Sequence, residues 1–356
     1  MSERQDRRPA IRMLMLGVGL LLAGAIVFVL AVLRGPSLAT GQMVSVSTAP
    51  AGDDDRPPVF SRCDTIECSC ACDDPFDPRT RAIGGQFNGM CLNTCRTRTA
   101  LPLSADSAAQ LGYFPDAADS DERYHYVVNV YHLPDTADTP SFWVARIPRD
   151  AVTDAIFQVE HAGGVQGHAQ MRFRLHAERP AVLVPQRTEA PRATEMANDL
   201  YYSVEAIGPP GVPYKGDFGF RREYRQRYRL TTQLIRATTM IRTLQRAVHQ
   251  FRLDITGEQA CAMLTQAIEQ GRQADPDERY HTSQNNCALR IYSIVDAVLP
   301  PAWYRRPLLW ITDNTLFMPT RVGQHLRYRG LAGTPFRLPN LEVELGWEEH
   351  VANEER

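Results

Sequence analysis

Residues 280–299 read Tyr280-His281-Thr282-Ser283-Gln284-Asn285-Asn286-Cys287-Ala288-Leu289-Arg290-Ile291-Tyr292-Ser293-Ile294-Val295-Asp296-Ala297-Val298-Leu299, and Pro300-Pro301 follow. A polar loop ends in two asparagines, and apolar residues then recur at Ala288, Ile291, Ile294, Val295 and Val298, the spacing of one helix face. Asn is a favoured N-cap and proline stops a helix, so the stretch predicts a helix from about Asn286 to Leu299. Cys287 then lies in the first turn, at the positive end of the helix dipole. There a thiol loses its proton more readily, and backbone N–H groups point toward an incoming oxyanion. The same placement also fits a core thiol or half-cystine, since cysteine is among the most buried residue types.

A thiol nucleophile needs a base, and the base needs an orienting group. Among nine histidines, His168 follows Gly167 and opens the β-rich run His168-Ala169-Gln170-Met171-Arg172-Phe173. A strand holds a base more firmly than a loop does. His161, His176 and His281 compete for the same role. Glu205 lies in the next predicted strand, Tyr201 to Ile207, where a half-buried glutamate calls for a partner. Asn285 and Asn286 are read as oxyanion or positioning residues.

Around these residues the chain alternates between the two periodicities. Tyr124 to Leu133, Ser141 to Ile147, Leu200 to Ile207, Tyr224 to Ala237 and Ala247 to Ile255 read as strands, and Ala155 to Leu175 as two strands split by Ala162-Gly163-Gly164. Gly208 to Arg222, rich in Pro and Gly, reads as a long loop. Thr256 with Gln259 has the capping-box pattern. It is followed by the stripe Ala260, Cys261, Leu264, Ala267 and Ile268, in which Cys261 is a packing residue. Arg321 to Arg329 predicts a short third helix. The expected class is α+β, an antiparallel sheet plus helices.

The N-terminal third is different. Met13 to Leu33 is an uncharged apolar run of the length that spans a bilayer. Arg4, Arg7, Arg8 and Arg12 precede it, while Asp53 to Asp55 follow before the next base after Arg34, at Arg56. By the positive-inside rule residues 1–12 are cytoplasmic, 13–33 a transmembrane helix, and the rest extracytoplasmic. A cleaved signal peptide is the competing reading, with Ser37-Leu38-Ala39 as the cleavage site. Residues 34–62 read as a flexible tether. Six cysteines, Cys63, Cys68, Cys70, Cys72, Cys91 and Cys95, define a module over 63–95. Their spacing matches neither zinc nor ferredoxin patterns, so disulfides are expected and no metal or cofactor is assigned. With Lys+Arg 39 against Asp+Glu 41, bulk charge gives no reason to bind nucleic acid. Lys215 is the only lysine, which leaves little room for lysine chemistry.

A strand His, a strand Glu and Asn-Asn-Cys opening a helix occur here in the order that resembles the Lnb N-terminal periplasmic domain family. The matching pieces are Phe142-Trp143, Gly167-His168-Ala169 with Phe173, Tyr202 to Ala206, Glu223-Tyr224 to Ile235, Phe251 to Ala260, Tyr280 to Cys287 and Leu326 to Leu331. The resemblance covers roughly 123–331 and leaves 332–356 as a tail. It implies a circularly permuted, NlpC-type papain-like domain in which Cys287 is the nucleophile, His168 the base and Glu205 the orienting acid. It also implies lipoprotein acyl transfer at the bacterial inner membrane, with membrane lipid and lipoproteins as partners. The sequence departs from the pattern at Gln170, where an aromatic is expected, at Ala288, where Thr is common, and in carrying the six-cysteine module. Two rivals stand beside this reading: a cell-envelope cysteine amidase or peptidase, and a non-catalytic tethered interaction protein in which Cys287 is bonded to Cys261 or unreactive. The arginines of 209–229 fit either anionic head groups or a solvated strand face. The acidic stretch from Glu342 reads as solvated.

Overall fold

Alternation along Gly167–Leu175 puts Ala169, Met171, Phe173 and Leu175 on one side of a strand and His168, Gln170, Arg172 and Arg174 on the other. The fold follows from both sides of that strand. A computed structural model describes residue 76 and residues 85–87, 90–117, 122–134, 140–161, 167–186, 194–212, 214–215, 219–300 and 318–351, all within one compact unit. The apolar run at 13–33, the tether, most of the cysteine module and the aromatic stretch at 301–317 lie outside the described residues. No helix among the described residues is long and apolar enough to cross a membrane.

The elements in chain order are β1 (Leu101–Leu103), α1 (Ala105–Gln110), β2 (Tyr124–His132), β3 (Ser141–Pro148), β4 (Val152–His161), β5 (Gly167–Leu175), β6 (Ala181–Pro185), β7 (Glu195–Ala197), β8 (Asp199–Ile207) and β9 (Arg225–Thr232). Then come α2 (Gln233–Ala237), a π-helical segment (Thr238–Thr243), β10 (Val248–Leu253), α3 (Gly257–Arg272), α4 (Cys287–Val298), α5 (Val322–Arg329), β11 (Ala332–Leu338) and α6 (Leu341–Glu344). The strands form one 11-stranded sheet in the order β11-β10-β4-β5-β8-β9-β2-β3-β6-β7, with β1 paired to β2. The protein is thus mixed α+β. The sheet is antiparallel except where β2 meets β9 in parallel at Tyr131↔Thr231.

The apolar face of β4, β5 and β8 packs on α3 and α4. Thr256 and Gln259 form the reciprocal capping box that starts α3. Met263, Leu264 and Ala267 on α3, and Ile291, Ile294 and Val295 on α4, are buried with Phe157, Met171, Phe173 and Val204. Each large apolar side chain so enclosed contributes about 1.5–3 kcal/mol. Cys261 is free, packs against this core, and donates to the Val152 carbonyl at 3.6 Å.

Several expectations change. The predicted strand Tyr224 to Ala237 ends at Thr232, and its last five residues form α2. Arg225, Arg227 and Arg229 are buried, not presented to solvent or to head groups. The segment after Leu331 adds β11 beside β10 at the sheet edge. Glu342 is buried and accepts from the Val248 N–H at 3.0 Å, while Glu344 pairs with Arg172, so the acidic stretch is structural.

Candidate active site

Cys287 is the first residue of α4, and the cap that places it is the one its sequence calls for. The Asn286 side-chain oxygen accepts from the Leu289 N–H at 2.9 Å, and its amide nitrogen donates to the Thr282 carbonyl at 2.6 Å. Asn285 is held in a separate network. Its amide donates to Glu278 and to the Arg279 carbonyl, and its oxygen accepts from Arg290 Nε at 2.7 Å. Both asparagine side chains are therefore engaged in building the loop that carries Cys287.

The thiol, 3% exposed, lies on the apolar side of the sheet beside Ala169. The β5–β8 ladder ends at Gln170↔Ser203. One residue beyond that end, the Ala169 N–H donates to the Cys287 sulfur at 3.4 Å. The Tyr280 hydroxyl donates to the same sulfur at 3.8 Å.

His168 reaches the thiol from β5. Continued two residues past its last pair, the β5–β8 register sets His168 across from Glu205. Gly167 is required just before it: a Cβ there would meet the Glu160 carbonyl oxygen at 2.6 Å. His168 Nε2 stands 3.4 Å from Glu205 Oε1, with side chains 19% and 20% exposed. The alignment falls short of a hydrogen bond, so the pairing is electrostatic. Glu205 Oε1 also accepts from the Ser203 hydroxyl at 2.6 Å and faces Arg236 at 3.3 Å and Arg229 at 4.0 Å.

These neighbours set the charges. Burial alone would lower the His168 pKa, but the Glu205 carboxylate and the Cys287 sulfur outweigh it and push it up to about 10. Burial acts to raise the Cys287 thiol, and the His168 cation, the Ala169 N–H and the Tyr280 hydroxyl overcome it and lower the thiol. Burial also opposes ionisation of Glu205, yet His168, Arg236 and Arg229 hold its carboxyl well below the usual range. All three shifts run toward a thiolate–imidazolium pair with an ionised acid behind it.

The other candidate histidines take different places. His161 stacks on His249 with ring centroids 4.0 Å apart. His176 accepts from the Glu178 N–H in a turn, and His281 accepts the Ser283 and Gln284 N–H groups in the loop before Asn285. Ser203, Arg236 and Tyr280 were not singled out by sequence. Only Tyr280 carried a signal, as the aromatic that opens the polar loop ahead of the cysteine.

Loop residues close over this loop. Tyr214 bonds Thr282 at 2.9 Å and its ring meets those of Tyr224 and Tyr280. Gly219 lets its turn approach, since a Cβ there would lie 2.2 Å from Thr282 Oγ1. Phe87 and Leu92 pack with Tyr224 and Tyr280, so residues from the cysteine module support the loop from below. Cys287 and Cys261 are free thiols. Among the described residues no group of three or more His, Cys, Asp or Glu side chains is arranged to hold a metal.

A family model described as the Lnb N-terminal periplasmic domain matches residues 143–313, a span that holds His168, Glu205 and Cys287. No curated protein and no solved structure matches the chain.

Proposed function

We propose, from the match of residues 143–313 to the Lnb N-terminal periplasmic domain family, that the protein is a membrane-anchored periplasmic thiol acyltransferase that works through a Cys287 thioester on bacterial lipoproteins. The observation that carries this reading is the buried cysteine at a helix start beside a strand histidine whose far side faces an ionised glutamate. The order His, Glu, Cys along the chain supports assigning the domain to the permuted papain-like class.

In the first half-reaction the Cys287 thiolate attacks the ester carbonyl. The Ala169 N–H, the Tyr280 hydroxyl and the first-turn N–H groups of α4 are the donors placed near the developing oxyanion. The tetrahedral adduct collapses, the His168 cation gives its proton to the departing alkoxide, and a thioester remains. In the second half-reaction an amine attacks the thioester, His168 takes the amine proton, and the thiolate leaves. An amide is formed and the thiolate–imidazolium pair is restored. Glu205 keeps the imidazole oriented throughout.

Because Cys261 and Cys287 are both free thiols, the bonded form of the non-catalytic alternative loses its support. The deciding test is mass spectrometry of lipoprotein N-termini in cells whose only copy of the gene is wild type or Cys287→Ala. The N-acylated form is expected to disappear in the mutant. Identical acyl patterns in the two strains would refute the assignment.

A further inference from the structure

On the polar face of the sheet, three neighbouring strands bring ionisable side chains into line. Glu160 of β4 pairs in register with His168 of β5, and the β5–β8 register places Glu205 on the other side. The imidazole therefore has a carboxylate-bearing strand on each flank. Arg236, on the short helix α2, spans both carboxylates. Its Nη1 is 3.3 Å from Glu205 Oε1, its Nη2 is 3.9 Å from Glu160 Oε2, and its Nε donates to Gln170. The other Glu160 oxygen is bound by Arg246. Arg236 is buried, so its reach is fixed by packing.

Building on the Cys–His reading above, we infer that Arg236 is a positioning residue: by bridging Glu160 and Glu205 it commits Glu205 to His168, keeps Glu160 away from the imidazole, and sets the pH window in which Cys287 and His168 form a charged pair. A guanidinium can do this because its planar fork reaches two carboxylates at once, which an ammonium does less well.

The charges around Glu205 are His168 from β5, Arg229 from β9 and Arg236 from α2. Beyond them lie Glu160 on β4 with Arg246 behind it, Cys287 at the start of α4, and the Tyr280 phenol against the thiol. Removing the Arg236 charge leaves more net negative charge near both members of the pair. The thiol then ionises at higher pH, and the imidazolium also holds its proton to higher pH. Both limbs of the profile move in the alkaline direction.

The test is the rate of Cys287 alkylation by iodoacetamide against pH, in the full chain held in detergent, with peptide mass spectrometry reading Cys261 separately. Arg236→Met is expected to raise the midpoint by about one pH unit, or roughly tenfold less thiolate at a fixed pH below it. Arg236→Lys should recover part of the shift. Arg236→Gln, which can still bond Gln170, replaces the Met variant if that one does not fold. Midpoints in the folded Met or Gln variant within about 0.2 unit of wild type would overturn the role given to Arg236 while leaving the Cys–His reading intact. A wild-type midpoint not lowered from the free-thiol value of about 8.5 would overturn the Cys–His reading itself, and is visible before any arginine variant is made.

Discussion

The two faces of the central sheet solve the same problem by different means. On the side of α3 and α4, Phe157, Met171, Phe173 and Val204 are buried against apolar helix stripes. On the other side, Gln158, Gln170 and Gln250 are equally enclosed, yet polar. Gln170 Nε2 donates to Gln158 Oε1, and Gln158 Nε2 donates to Gln250 Oε1, each at 2.6 Å. Arg172 is clamped there by Asp199 and by both oxygens of Glu344. The first face needs only volume and hydrophobicity. The second must pair most of its donors and charges, because an unpaired polar group in that setting costs about 1–3 kcal/mol; the Tyr201 hydroxyl and His168 Nε2 are among its buried exceptions. The candidate site joins the two: Cys287 comes from the helix layer, and His168 and Glu205 come from the polar face.

The largest expected effect tests that junction. Cys287→Ala and His168→Ala should each lower kcat/KM for acyl transfer by at least about 10³-fold, and the double mutant should be little worse than either single one. Multiplying losses would mean that the two faces act independently. Next comes stability. Phe173→Ala on the apolar face should cost about 3–5 kcal/mol through cavity formation. Arg172→Met on the polar face should cost about 3 kcal/mol, because it strips Asp199 and Glu344 of their shared partner. Urea unfolding with unchanged m-values checks both, and a near-neutral Arg172→Met would show that the polar network is dispensable.

The smallest effect separates the histidines. His125, His249 and His325 all lie on or under the helix-layer side, and burial first, then nearby positive charge, lowers each to about 4. Their unfolded forms bind protons below about 6.5 while the folded forms stay neutral to about 4, so stability should fall as pH drops through that window. Replacing the three with Gln should flatten the acid side of the stability curve measured by urea titration. An unchanged slope would remove them as its cause. His168, raised instead by its acidic and thiol neighbours, marks the boundary between the two environments.

Much of the site was legible in sequence because its parts obey local rules. The cap at Asn286 and the stripe from Ala288 to Val298 locate α4, and hence Cys287, from fewer than twenty residues. The strand alternation from His168 to Leu175 gives the correct spacing of the two sides, and Glu205 stood out as a charge inside a strand. The misreadings share another origin. Arg225, Arg227 and Arg229 alternate as a wet strand would, and Glu342 and Glu344 read as a solvated tail. Their burial depends on what covers them, and the covering segments are distant in sequence. Arg236 gave no signal, because it lay in a stretch read as strand and its partners Glu160, Gln170 and Glu205 are spread over β4, β5 and β8.

The sequence by itself determined the helix-borne thiol, the strand-borne histidine and the α+β class, since caps and periodicities act over a few residues. Only the tertiary structure decided which polar residues are buried, which carboxylate faces His168, and what the asparagines do. Those outcomes rest on contacts between strands far apart along the chain, where burial and charge act through space and leave no local period to read.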